Sequence, residues 1–281
     1  MKISVLVTVY NNFELLHKCL LSLCYQSVLP HEVVISDDGS DEDILELLKP
    51  LVVRLPFHLR FVSQPHAGFR ASKVRNNAVR FSTGDYLIFL DQDIIGKRNF
   101  METFVKYAKP RQFLVSWPVR LTREQTAKID EPFIERDDFE SLVHRKQKKE
   151  FYKQFRKDLF YFYMYSLHLR KIGPKLRSGL FSVFRDDLFM VNGFDEKYQG
   201  WGNEDDDLGH RLHVAGIRGR NPFSKHYPLH LYHEPNRIGT QRTNLTYYRQ
   251  RLVEIHNGDF RAECGLTGLP DDDQLLKMQL V

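Results

Sequence analysis

Residues 3–9 are apolar with scarcely a break and no alternation, the pattern of a strand buried on both faces, and Phe13, Leu15, Leu16, Leu20 and Leu23 follow roughly at helical spacing. The same succession repeats. Residues 33–36 form a second strand candidate, Ile44, Leu45 and Leu48 a short helix closed by Pro50, residues 59–63 a third strand, 70–80 a helix and 86–90 a fourth strand. Strands and helices alternating over these distances predict an α/β fold with a mostly parallel sheet flanked by helices. Such a sheet binds ligands beyond the carboxyl ends of its strands.

Those ends are polar. Thr8 and Tyr10 end the first strand, Asp37 and Asp38 the second, Gln64 and His66 the third, and Asp91, Gln92 and Asp93 the fourth. Acidic residues also start turns and cap helices, so Asp37 to Ser40 alone has an equally good structural explanation. Four polar clusters on one rim point further. The Asp91-Gln92-Asp93 bend can turn two carboxylates toward a common point, and hard oxygen ligands suit Mg²⁺ or Mn²⁺ bridging to a diphosphate. No G-x-G-x-x-G follows the first strand and no Walker A string occurs, which argues against a dinucleotide dehydrogenase or a P-loop enzyme.

The chain has 281 residues, 42% of them hydrophobic, enough for one large domain or two intimate ones and too many for disorder. Its net charge of +5 is too small to imply a nucleic-acid partner by itself. Three cysteines, Cys19, Cys24 and Cys264, make neither a disulfide scaffold nor a thiolate zinc site and fit a reducing compartment. The opening apolar run is too short for a signal peptide and no later run reaches membrane-spanning length, so the expectation is a soluble or peripherally attached protein.

As an ordered set, Thr8-Val9-Tyr10-Asn11, Asp37-Asp38-Gly39-Ser40, the basic helix with Lys73 and Arg75, and the Asp-x-Asp after a buried strand resemble the family 2 glycosyltransferases over residues 1–120. The resemblance implies the Rossmann-like GT-A fold and a nucleotide-sugar donor. It implies that Thr8, Val9, Tyr10 and Asp38 meet the base and ribose. Asp91 and Asp93 would hold metal and donor ribose beside Gln92, and Arg70, Lys73 or Arg75 would assist at the nucleotide.

Residues 121–138 are polar with few core-forming repeats, and read as a loop flanking the site or a boundary. From 144 to 175, lysines and arginines interleave with Phe151, Tyr152, Phe155, Phe160, Tyr161, Phe162, Tyr163 and Tyr165. Three readings compete for this helix: aromatics packed on the sheet with solvated lysines, an amphipathic patch meeting an anionic membrane or a lipid-diphosphate acceptor, and a nucleic-acid groove. The modest charge argues against the last.

The second chemical cluster is Trp201-Gly202-Asn203-Glu204-Asp205-Asp206-Asp207. Asn203 and Asp206 suit a capping box, yet four consecutive acids repel one another and at least one needs a partner. With Asn192-Gly193-Phe194, this string is similar to the catalytic segment of β-1,4-galactosyltransferases and related N-acetylgalactosaminyltransferases over 178–234. It departs at Asn203, where the animal enzymes usually have glycine. The resemblance implies Trp201 at the sugar, Glu204 on the acceptor and Asp205 as catalytic base. It also implies a histidine completing the metal site, His233 in preference to His230. Pro228 and Pro235 favour a short strand or irregular edge there over a helix.

The expected organisation is a nucleotide-sugar portion (1–120), a basic aromatic insertion (121–177) and an acceptor-binding, catalytic portion (178–281). The expected activity is inverting, metal-dependent transfer of galactose or N-acetylgalactosamine from a UDP-sugar to a glycan or lipid-linked saccharide in surface polysaccharide or glycolipid synthesis. The implied setting is the cytoplasm, including peripheral contact at the cytosolic membrane face. An inactive sugar-nucleotide-binding protein and a sugar-1-phosphate nucleotidyltransferase are the alternatives, the latter lacking its glycine-rich basic loop after the first strand.

Overall fold

In a computed structural model that describes residues 1–234, 243–267 and 275–280, the four apolar runs form the centre of one sheet. Strands β1 (Ile3–Val9), β2 (Glu32–Asp37), β3 (His58–Ser63) and β4 (Tyr86–Asp91) are parallel in the order β3-β2-β1-β4. Helices α1 (Phe13–Cys24), α2 (Ile44–Leu48) and α3 (Ala71–Phe81) connect them. β1 lacks alternation because both its faces are covered. Val5, Val7 and Val9 join Leu16 and Leu20 of α1 in one core, whereas Leu6 joins Ala78 and Val79 of α3 in the other. Each such fully buried side chain contributes roughly 1.5–3 kcal/mol.

The chain continues through β5 (Ile94–Ile95), β6 (Gln112–Val115), β7 (Val119–Arg120), β8 (Leu180–Phe184), β9 (Arg218–Arg220), β10 (Leu229–His230) and β11 (Leu276–Gln279). The main sheet has the order β11-β3-β2-β1-β4-β8-β6-β9, with β8 antiparallel to both its neighbours. Strands β5, β10 and β7 form a separate small sheet. The remaining helices are α4 (Phe100–Tyr107), α5 (Arg123–Ala127), α6 (Glu131–Arg136), α7 (Phe139–Leu142), α8 (Arg145–Ser166), α9 (Arg185–Met190), α10 (Glu204–Val214) and α11 (Leu245–His256). None of the described helices is long and apolar enough to cross a membrane.

α2 ends at Leu48, ahead of Pro50 as expected, and the chain continues as a 3₁₀ helix, Lys49–Arg54, with Pro50 in its first turn, where its missing N–H leaves no bond unmade. Two other expectations are corrected. Residues 121–138 are not coreless, since α5 and α6 surround buried Leu121, Ile129, Phe133 and Ile134. The aromatics of α8 divide between the two faces, with Phe151 buried and Phe155, Tyr161, Phe162 and Tyr165 half-buried while Tyr152, Phe160 and Tyr163 are exposed. Arg237, Arg242 and Asp271 to Asp273 lie outside the described residues.

α10 is fastened by a buried ion pair. Asp207 and Arg211 are both fully buried, Arg211 Nε donating to Asp207 at 2.6 Å and its Nη1 to the carbonyls of Val191 and Gly193 at 2.8 and 2.7 Å. The helix is thereby tied to the turn that precedes it in the chain. Asp207→Ala, which strands a buried guanidinium, is expected to lower unfolding stability by about 3–5 kcal/mol in urea denaturation. A loss under about 1 kcal/mol would mean that the pair does not anchor the helix.

Candidate active site

Register brings the rim together. Thr8 pairs with Asp91 across β1–β4, Val9 with Asp37 across β1–β2 and Asp37 with Ser63 across β2–β3, so the strand ends line one edge of a cleft of about 1060 Å³. The two aspartates of β2 divide the work. Asp37 accepts from the Ser40 N–H and the Ser63 hydroxyl and builds the turn. Asp38 faces the cleft, where Gln64 and the Arg70 N–H donate to its carboxylate and burial raises its pKa. Tyr10 stacks on His66 with ring centroids 4.8 Å apart, and the Tyr10 N–H donates to Gln92.

Asp91 faces inward to a hydroxyl and a cation: its Oδ1 accepts from Thr8 at 2.8 Å and from Arg75 at 3.1 Å. Gly179 lies against it, for a Cβ there would sit 2.0 Å from Asp91 Oδ2. Asp93 meets a different set of partners. β5 follows it directly and pairs with β10, and the Leu231 N–H donates to the Asp93 carbonyl at 2.8 Å. The small sheet thus carries His230 and His233 to Asp93 Oδ2, with their Nε2 atoms 3.4 and 3.0 Å away.

Asp93, His230 and His233 are the cation-ligand group that this edge assembles, their ligand atoms lying within 4.8 Å of one another. The fit to a divalent ion rests on their hydrogen bonds. Nδ1 of each histidine faces a backbone carbonyl, Leu231 O at 2.8 Å and Glu234 O at 2.9 Å, which fixes the proton there and leaves Nε2 as a ligand lone pair. Asp93 Oδ1 is buried without a partner. The hydrogen bond to Asp93 raises the pKa of His233.

On the facing side the four acids at the start of α10 have four different environments. Glu204 lies 3.7 Å from Arg75 Nη1, Asp206 pairs with Lys175 at 2.7 Å, and Asp207 is held by Arg211. Asp205 has no such clamp among the described residues: its carboxylate accepts the N–H of Asp206 at 2.8 Å. Burial, and then their mutual repulsion with neighbouring acids, raises the pKa of both Glu204 and Asp205. The expected capping box is absent. Asn203 has a left-handed backbone, φ 78°, and makes no side-chain cap, which explains why glycine, free to take that conformation, suits the position.

Of the residues singled out from sequence, Thr8, Val9, Tyr10, Asp38, Arg75, Asp91, Gln92, Asp93, Trp201 and His233 line the cleft, together with His230. Trp201 is half exposed. Glu204 and Asp205 are not cleft-lining side chains; Glu204 reaches the cleft through Arg75, and Asp205 follows it in α10. Among the three basic candidates only Arg75 lines the cleft. The Arg70 guanidinium donates to the Pro65 carbonyl, and Lys73 is a half-buried residue of α3. Sequence reasoning missed Arg177, which stacks on Trp117; burial lowers its pKa to about 10, opposed by Asp158, Asp205 and Asp206. Its only signal was position, two residues before Gly179.

The main sheet, its helices and the rim define the class as a GT-A fold. TarS of S. aureus, solved with UDP-GlcNAc, superposes with a TM-score of 0.61 at 15% identity over 94% of this chain and 68% of that one. Drosophila β1,4-galactosyltransferase 7 gives 0.55 at 14% identity over 99% and 92%. The model of glycosyl transferase family 2 matches residues 4–187, and the chain belongs to that family. A second model, described as the N-terminal domain of galactosyltransferase, matches residues 159–234. The validoxylamine A glucosyltransferase of Streptomyces hygroscopicus subsp. limoneus is 28% identical over 83% of the chain, and the Escherichia coli chondroitin synthase 23% over 78%. The chain spans 53% and 33% of their lengths.

Gly179→Ala is expected to push the Asp91 carboxylate aside, with an overpacking loss of about 1–3 kcal/mol in stability read by urea denaturation. Unchanged stability would show that Asp91 can yield without cost.

Proposed function

We propose that the protein transfers galactose or N-acetylgalactosamine from a UDP-sugar to a glycan hydroxyl, inverting the anomeric carbon, in surface polysaccharide or glycolipid synthesis. The observation that carries this reading is the Arg75 guanidinium, which touches Asp91 on the donor rim and Glu204 on the acid helix. One buried cation thereby couples a nucleotide-type rim to a pair of buried carboxylates. The galactosyltransferase match over 159–234 supports the choice of sugar, and TarS with UDP-GlcNAc supports a uridine donor.

Asp38 and the Thr8-to-Tyr10 edge receive base and ribose, and Gln92 holds the Tyr10 backbone in place. Asp91 meets the donor ribose with Arg75 fixing its orientation. Asp93, His230 and His233 would hold Mn²⁺ or Mg²⁺, which when bound offsets charge on the diphosphate. Trp201 offers a flat face to the sugar, with Gly200 and Gly202 at positive φ on either side shaping the loop. Glu204 orients the acceptor. Asp205 takes the proton from the acceptor hydroxyl as its oxygen bonds to the anomeric carbon, and the bond to UDP breaks on the opposite face. An α-linked donor gives a β-linked product.

The test is UDP release from a panel of UDP-sugars with Mn²⁺ and saccharide acceptors, with and without chelator. Release from one donor that chelator abolishes is expected; turnover unaffected by chelator would overturn the metal assignment. Asp205→Asn is expected to lower kcat by roughly 10²–10⁴-fold with UDP affinity retained. A variant as fast as the parent removes Asp205 as the base.

The base works only when ionised, and burial raises the pKa of the Glu204–Asp205 pair. Activity therefore falls as pH drops through that raised value, so the acid limb of kcat/KM should lie above the ordinary aspartate value of about 3.9. A limb at or below the ordinary value would contradict the assignment.

A further inference from the structure

The outward face of α8 and the segment after it are not explained by packing or by the cleft. α8 is anchored from within at seven-residue intervals: Phe151 packs on Tyr227 with centroids 5.4 Å apart, Asp158 accepts from Asn221 at 2.8 Å, and the Tyr165 hydroxyl donates to the His213 carbonyl at 3.2 Å. Turned to solvent are Tyr152, Leu159, Phe160 and Tyr163, between 37% and 57% exposed. Arg145, Lys146, Lys149, Lys153, Arg156 and Lys157 are exposed among them, and Glu150 is the one exposed acid of the helix. Leu167 and Leu169 follow, each 65% exposed. Beside them His168, Arg170, Lys171 and Arg218 help to line a pocket of about 330 Å³.

We infer that this surface docks the protein on an anionic phospholipid bilayer, lying in the plane of the interface, with a headgroup phosphate in the basic pocket. Charge complementarity selects the occupant. Lysine and arginine stems snorkel to phosphates while tyrosine and phenylalanine rings sit at headgroup level. Leu159, Leu167 and Leu169 separate a bilayer from a single-stranded nucleic acid, which stacks on aromatic rings but gains nothing from exposed aliphatic side chains. None of these residues lines the cleft, so docking goes beyond the transfer reading and stands or falls separately from it.

The test is co-sedimentation of the whole chain with vesicles of phosphatidylcholine alone or of equal parts phosphatidylcholine and phosphatidylglycerol, a readout that needs no turnover. Binding to the mixed vesicles only is expected. The charge variant Lys149→Glu/Lys153→Glu/Arg156→Glu should abolish it, and the apolar variant Phe160→Ser/Leu167→Ser/Leu169→Ser should weaken it roughly tenfold. All six positions are exposed, and thermal unfolding with UDP calorimetry checks that both variants stay folded with an intact cleft. Binding to neither vesicle, equal binding to both, or parental binding by either variant overturns the proposal. So does capture by a single-stranded oligonucleotide without vesicle binding, which would assign the face to a polyanion.

Discussion

The site depends on a cation that cannot be buried alone. Arg75 is 6% exposed, lies over the Phe194 ring at 5.6 Å, and contacts Asp91 and Glu204 at 3.1 and 3.7 Å. A guanidinium removed from water needs opposite charge close by, and here it comes from β4 and α10, elements far apart in the chain. Each carboxylate needs the cation in turn. Burial raises the pKa of Glu204 and Arg75 lowers it, so the same contact that joins the two walls helps keep that acid ionised. Docking of α10 and charging of the rim are therefore one event.

The acids of α10 show how a sequence can crowd like charges without wasting them. Asp206 and Asp207 are neutralised by Lys175 and Arg211, one near the surface and one in the core. Asp206, even paired with Lys175, still repels Asp205, and Asp205 in turn repels Glu204. Arg75 stands next to Glu204, and Asp205 accepts the Asp206 N–H, with the charges of Lys175 and Arg75 favouring its anion. A group whose proton affinity is raised by burial, at a helix start whose free N–H groups favour the anion, is suited to accept a proton and to give it up again.

Legibility followed the range of the interactions. Strands buried on both faces announce themselves by unbroken apolar runs, so β1 to β4 and the polar rim beyond them were readable. Arg75 was not separable from Arg70 and Lys73, because α3 buries polar Ser72, Asn76 and Asn77 along with its apolar residues and so has no clean stripe to mark which basic residue turns inward. The pairing of β5 with β10 was not readable, because two-residue strands leave no periodic trace, and it is this pairing that brings both His230 and His233 to Asp93. The inner stripe of α8 was hidden for another reason. Its middle member is Asp158, whose burial depends on Asn221, and a hydrophobic pattern scores that position as solvent-facing.

Among the described residues, buried polar atoms without a hydrogen-bond partner are spread through the fold, from His17 Nε2 to Arg251 Nε, each such group destabilising a folded chain by about 1–3 kcal/mol, and Asp93 Oδ1, Arg75 Nε and Nη1, and Asn203 Oδ1 are those at or beside the cleft. Their positions follow the cleft from the histidine side to the start of α10. Asn203 adds a left-handed backbone to its unpaired oxygen, in a loop that also has Gly200 and Gly202 at positive φ. Asp93 and Arg75 line the cleft, so ligand or solvent atoms can reach their unsatisfied groups, whereas Asn203 lies behind it at the start of α10. The loop before α10 and the small sheet at Asp93 meet at the cleft, which Trp201 of the one lines together with His230 and His233 of the other.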